Sequence, residues 1–209
     1  MKLPRKQGAA SEVRIAKTIR TIQQTSAATR TVFIGADAEC ISKRRKAMAQ
    51  EQVREYFRQL GIEDRLIKLH ESSATVEQAA EALGTEPRRI AKTMSFLTDD
   101  GPIVIVMAGA AKVDNRKYKD RFHIKAKMVP FDDVEAVIGH AAGGVCPFAV
   151  NDGVKSYLDV SLKRFETVFP AAGGIHDVTE LTCDELEKYS QNFSGWVDVA
   201  KGWQDGENT

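Results

Sequence analysis

The sequence predicts a single mixed α/β domain over residues 48–209, and three observations carry the prediction. Segments of helical periodicity and segments of strand character interleave there without a strict strand–helix–strand alternation. Two of the helical segments open on a Thr-x-x-Gln or Thr-x-x-Glu capping pattern, and several stop at glycine. Two apolar runs meet at Asp-Asp-Gly-Pro, residues 99–102, as a pair of strands joined by a tight turn. The chain is 43% hydrophobic and 28% charged, the balance of a globular protein. No apolar run approaches the roughly 20 residues of a membrane span, and no signal-peptide core stands near the start.

The elements follow in order. "AQEQVREYFRQLG", residues 49–61, puts Val53, Tyr56, Phe57 and Leu60 on one helical face and ends at Gly61. "RLIKLH" is a short strand. "TVEQAAEALG" is a helix from the capping pair Thr75 and Gln78 to Gly84. In 89–109 the second strand is wholly apolar and therefore central. Asp114 caps a basic helix reaching Phe122. After Pro130, "FDDVEAVIG" is a helix ending at Gly139. Short strands are expected near 156–161, 165–169 and 175–179. Thr182 and Glu185 open a last helix, and "GWVDVA", residues 195–200, closes the domain as a strand.

Residues 1–47 are a different kind of sequence. They hold eleven Lys/Arg against three Asp/Glu, a net +8, whereas the rest holds nineteen against twenty-six, a net −7. Weak helical periodicity from Val13 to Ile22 gives way to a polar stretch, the strand-like "TVFIG" at 31–35 and the cluster Lys43-Arg44-Arg45-Lys46. Three readings stay open: a basic arm for nucleic acid, a targeting peptide, or translated ribosome-binding sequence with Met48 as the true start. Cys40, Cys146 and Cys183 are too scattered for a disulfide framework or a CxxC knuckle, so a reducing cytoplasm is the simplest home. His70, His123, His140 and His176 show no metal-ligand spacing, so neither metal nor cofactor is expected.

Lys92 is the residue most at odds with its setting. On a strand it shares a face with Ile90, Met94 and Phe96, and a cation in an apolar row is costly unless it meets an anion or reaches water. It is either a rim lysine with its stem on apolar neighbours or a cation at a pocket mouth. Gly143-Gly144, in "GHAAGGVCPFAV", is either a tight turn or a place where backbone N–H groups face an oxyanion. Cys146 with His140 raises a nucleophile reading, against which stand Pro147 and an apolar context, as for a buried structural cysteine. Residues 112–127 carry a local +5 that includes Lys112, Arg116, Lys117 and Lys119. It is a solvated face or a docking site for a polyanion.

"RIAKTMSF", "VMAGAAKVDNRKY" and "GHAAGGVCPF" together resemble the YbaK/prolyl-tRNA-synthetase-associated (EbsC-like) family of aminoacyl-tRNA editing domains over about residues 65–200. The resemblance implies a curved mixed sheet flanked by helices and hydrolysis of the ester joining a wrong amino acid to tRNA, most often tRNA for proline. It implies a substrate lysine at Lys92 and a pocket loop through Gly139, Gly143, Gly144 and Pro147. It carries His70, His140 and Asp177 as further pocket positions, with Val145, Cys146 and Phe148 shaping a small side-chain pocket. It implies aminoacylated tRNA as substrate and prolyl-tRNA synthetase as partner, with Lys112, Arg116, Lys117 and Lys119 on the tRNA. The alternatives are a module that binds an amino acid or acceptor end without hydrolysis, and a hydrolase built on Cys146.

Overall fold

The computed structural model describes residues 38–70 and 74–204. The expected helix at 13–22 and strand at 31–35 lie outside them. Helix α1 (Ala38–Leu60) begins well before the expected residue 49 and runs unbroken through Met48. Its buried stripe is Ala49, Val53 and Phe57, and the Tyr56 hydroxyl donates to the Tyr189 carbonyl at 3.0 Å. Leu60, expected on that stripe, is exposed. The chain turns at Gly61, which has a φ of +71°, and Ile62 is buried in its stead.

Strand β1 (Leu66–Lys68) precedes helix α2 (Val76–Leu83), where the Thr75 hydroxyl accepts from the Gln78 N–H and Gly84 closes the end in the left-handed conformation. Strands β2 (Ile90–Thr98) and β3 (Gly101–Ala108) form the expected antiparallel pair. Strand β4 (Lys112–Val113) leads into helix α3 (Asn115–Phe122), whose first amides are capped by Asp114. Helix α4 (Val134–Ile138) is a turn and a half long because the residues before it, Phe131–Asp133, are a 3-10 turn. The remainder is β5 (Lys155–Asp159), β6 (Thr167–Pro170), β7 (Asp177–Thr179), β8 (Leu181–Thr182), α5 (Cys183–Tyr189), β9 (Phe193–Val197) and β10 (Ala200–Lys201). The reciprocal capping box of Thr182 and Glu185 opens α5.

Six strands in the order β8-β6-β2-β3-β5-β9 make a curved mixed sheet flanked by helices, with ribbons β1–β7 and β4–β10 at its margins. β4, β8 and β10 were not expected; two-residue strands leave no periodicity to read. β3 sits in the middle and is buried from Ile103 onward, as its unbroken apolar run predicts. The main core joins α1, the sheet and α3 through Phe57, Phe96, Ile105, Tyr118 and Leu158. A smaller cluster of Leu97, Val104, Val129, Val134 and Ile138 seats α4. The buried Asp159 carboxylate accepts from the Ser161 and Val199 amides at 2.9 Å each, tying the end of β5 to the chain before β10.

The outer edge of β2 positions the site. β6 covers its start, pairing Ile90 with Phe169 and Ala91 with Pro170. Residues 127–129 cover its far half: Leu97 N–H donates to Lys127 O, Val129 N–H donates to Ser95 O, and Phe96 bridges Met128. Between the two lie Lys92 and Thr93.

Candidate functional site

Lys92 stands opposite Met107 in the β2–β3 register, on the face that also carries Met94 and Phe96. Its ammonium donates to the Gly109 carbonyl at 2.9 Å, and two further hydrogens remain for other acceptors. Burial pushes its pKa below the ordinary lysine value. The Glu77 carboxylate opposes that shift, and the Lys112 ammonium adds to it. Lys92 also lines a cavity.

That cavity has a volume of about 230 Å³. Its polar side chains are Thr75, Lys92 and Thr93; its apolar wall includes Ala79, Ile90, Val145, Phe169 and Val178; Gly143 lines the remaining side. Lys92 and Gly143, 51 positions apart, thus line one space, which Gly144 does not reach. α2 supplies Val76 and Ala79, β6 supplies Phe169, and β7 supplies Val178.

The two glycines do different work. Gly143 has a φ of +90°, which any L side chain resists, and a Cβ there would press on Ile175 at 3.2 Å and touch Ala74 at an ordinary 3.6 Å. Its N–H has no hydrogen-bond partner among the described residues. Gly144 donates its N–H to the Ala141 carbonyl at 3.0 Å, so that amide is spent within the loop. A Cβ on Gly144 would lie 2.9 Å from the Gly174 Cα, which makes it a point of backbone-on-backbone contact. Gly144 is thus held in a turn, whereas Gly143 lines the cavity.

Several residues named with them do not line the cavity. Cys146 and Phe148 are fully buried in the main core, where Phe148 meets the Phe57 ring edge-on at 4.8 Å. Pro147 is buried, and its carbonyl accepts from the Gln191 N–H. Of the three loop residues expected to shape a side-chain pocket only Val145 does so, because the chain turns into the core after it. Burial pushes the Cys146 thiol up to about 12, so almost none of it is thiolate near neutrality. His140 is fully buried as well. Its Nε2 donates to the Phe148 carbonyl at 2.7 Å, which leaves Nδ1 as a bare lone pair without a partner, and burial pulls its pKa down. With Nε2 already protonated, the thiol 3.7 Å away has no base there. The Cys146 hydrolase has no activated nucleophile.

Gly139 ends α4 with a φ of +102° against Asn151, outside the cavity. His70 is exposed at the end of the β1 region. Asp177 accepts from Gln50 Nε2 at 2.7 Å, pinning β7 to α1. In the basic segment Lys112, Arg116 and Lys119 are exposed, whereas Lys117 donates to Asp198 at 2.8 Å and to the Ala200 carbonyl at 3.1 Å. No helix of the described residues is long and apolar enough to cross a membrane. Among the described residues no three His, Cys, Asp or Glu side chains cluster as metal ligands would.

Sequence reasoning missed the floor and walls of the cavity: Thr75, Ala79, Thr93, Phe169, Ala171 and Val178. Thr75 was visible only as a helix cap, and Thr93 only as the neighbour of Lys92. Phe169 and Val178 read as ordinary strand residues until the sheet order brings β6 and β7 beside β2.

The aminoacyl-tRNA editing domain model matches residues 70–189. The protein YwhH of Bacillus subtilis is 47% identical over 159 residues, which are 75% of this chain and 100% of YwhH. EbsC of Enterococcus faecalis, named as a candidate Cys-tRNA(Pro)/Cys-tRNA(Cys) deacylase, is 30% identical over 105 residues, 49% of this chain and 64% of its own length. A solved structure described as a candidate trans-editing enzyme for prolyl-tRNA synthetase superposes with a TM-score of 0.66 at 24% identity. The match covers 74% of this chain and 98% of that one, a likeness of fold.

Proposed function

The chain belongs to the aminoacyl-tRNA editing domain family, and from that premise we propose that it is a trans-acting deacylase whose cavity at Lys92 and Gly143 hydrolyses mischarged tRNA. The finer reading is a tRNA for proline bearing a small non-cognate amino acid, with prolyl-tRNA synthetase as the source of the error. The single observation behind it is that Lys92 and Gly143 line one cavity of about 230 Å³. The tRNA(Pro) in the name of EbsC supports the choice of tRNA.

In the reaction a water oxygen adds to the ester carbonyl, the bond to the terminal ribose oxygen breaks, and that oxygen takes up a proton. Free tRNA and an amino acid leave. Because the ester is already activated, a modest acceleration suffices: a 10³-fold gain takes about 4 kcal/mol, and one well-aimed oxyanion donor supplies roughly 3–4 kcal/mol. Gly143 is the donor this reading selects, its N–H having no partner among the described residues. Gly144 is then a positioning residue that fixes the loop against Gly174. Lys92 holds a phosphate or carbonyl oxygen of the terminal nucleotide with the hydrogens not given to Gly109. The apolar wall of Val145, Ile90 and Val178 favours a small uncharged side chain. A second site of this kind is needed because a synthetase pocket separates neighbours differing by one methylene by only about 1–3 kcal/mol.

A panel of tRNAs mischarged with alanine, serine, cysteine and other small residues, assayed for ester loss, tests the reading. Rapid loss from tRNA for proline, with other tRNAs spared, is expected. Tight binding of the panel without ester loss would instead establish a recognition module. Retention of full activity after thiol alkylation is also expected, since Cys146 is buried and protonated.

A further inference from the structure

The most exposed aromatic side chain among the described residues is not accounted for by the cavity. Phe131 is 78% exposed, and Met128 beside it is 54% exposed. The preceding Lys125 and Lys127 are exposed too, while Val129, between Met128 and Phe131, is buried in the cluster that seats α4. The backbone leading to Phe131 is anchored to β2 by the hydrogen bonds at Lys127 and Val129. A large apolar side chain displayed on a rigid support usually marks a contact surface.

Its place is informative. Met128 bridges Phe96 on the outer edge of β2, four residues beyond Lys92 on the same strand. That separation is about 13 Å along the strand at roughly 3.3 Å per residue. A single strand leaving the cavity along this edge covers it in about four stacked nucleotides at about 3.4 Å each, or fewer when extended. Asp132, Asp133 and Glu135 follow Phe131 on the α4 side, so a polyanion is confined to the side of Lys125 and Lys127.

We propose that Phe131, with Met128 beside it and Lys125 and Lys127 as phosphate contacts, is a stacking platform for the single-stranded acceptor end of tRNA. It takes a base a few nucleotides before the esterified terminal one. The proposal rests on the reading that the cavity receives that terminal nucleotide. An exposed ring serves any base, because every base has a face to stack, whereas paired lysines add affinity that salt removes.

The test uses the full chain and a fluorescent single-stranded RNA ending in CCA, followed by anisotropy. Phe131→Ala is expected to raise the Kd about tenfold, and Phe131→Trp to restore it. Lys125→Gln with Lys127→Gln is expected to flatten the plot of log affinity against log salt by about 1.4, as for two phosphates of a single strand. In deacylation, Phe131→Ala is expected to lower the efficiency on full aminoacyl-tRNA relative to an aminoacyl ester of adenosine by the same tenfold, through KM. An equal Kd for wild type and Phe131→Ala, or no RNA binding by wild type, overturns the platform. So does wild-type self-association that Phe131→Ala abolishes, which would make the surface a contact between copies. If no ester is hydrolysed while the Phe131-dependent binding persists, the deacylase reading fails and the platform stands.

Discussion

Lys92 concentrates the electrostatic cost of the site, and that cost defines its use. A half-buried ammonium loses hydration, which the Gly109 carbonyl and the Glu77 carboxylate only partly replace. An oxyanion in the cavity completes the set, so the free energy withheld from the empty site is returned on binding substrate. Lys92→Ala is expected to leave thermal unfolding near that of wild type while deacylation falls by about 10²-fold or more. Wild-type turnover in that variant would remove the lysine from the mechanism. His140 makes the opposite kind of demand. Burial holds it neutral, so its pKa in the fold lies below the ordinary value of about 6.5 that the unfolded chain regains. Below that value the unfolded state binds a proton the folded state does not. Stability is therefore full above about pH 6.5 and declines as pH falls toward the folded value, at up to about 1.4 kcal/mol per unit. His140→Gln, whose amide still reaches the Phe148 carbonyl, is expected to flatten the melting temperature between pH 7.5 and 5.5. An unchanged pH slope would show that another group governs it.

The strands and loops around the cavity are held by close backbone contacts, and glycine is what permits them. Gly109 opens the turn after β3 with the Pro87 carbonyl 2.1 Å and the Val76 side chain 2.7 Å from where a Cβ would be. Its own carbonyl receives the Lys92 ammonium. A methyl at Gly109 therefore pushes away the Pro87 backbone and α2 and moves the acceptor that aims the lysine, two effects from one change. Gly109→Ala is expected to cost about 1–3 kcal/mol or more of stability and to lower deacylation further than stability alone explains. Denaturant melts beside turnover at a temperature where the variant is fully folded separate the two. Gly144→Ala, against the Gly174 backbone, is expected to behave alike, since the hydrogen bond between the Gly173 backbone and Cys146 ties the same two loops together. Elements that pack by side chains are more forgiving: Thr182→Ala removes one half of the α5 capping box and is expected to cost only about 1 kcal/mol.

Across the molecule, what could be read in the sequence was what depends on near neighbours. The caps at Thr75, Asp114 and Thr182, the β2–β3 turn and the central position of β3 all follow from a few adjacent residues. The meeting of Lys92 with Gly143 came from resemblance, and its walls came from neither source, because Phe169 and Val178 reach it only through the sheet order. The split between the glycines, one amide without a partner among the described residues and one spent, depends on loop geometry that spacing does not encode. Charge behaves the same way. The local +5 of residues 112–127 sits on a body of net −7, so a polyanion is attracted only where the basic side chains are free, and exposure decides which those are. Arg116 and Lys119 are exposed, while Lys117 bridges Asp198 and the Ala200 carbonyl, joining α3 to the chain around β10. The substitutions Arg116→Gln and Lys119→Gln are therefore each expected to lower the salt slope of tRNA binding by about one, with little change in melting temperature. Lys117→Gln is expected to do the reverse, leaving the slope near wild type and lowering the melting temperature. Equal slopes in all three variants would place the tRNA on another face.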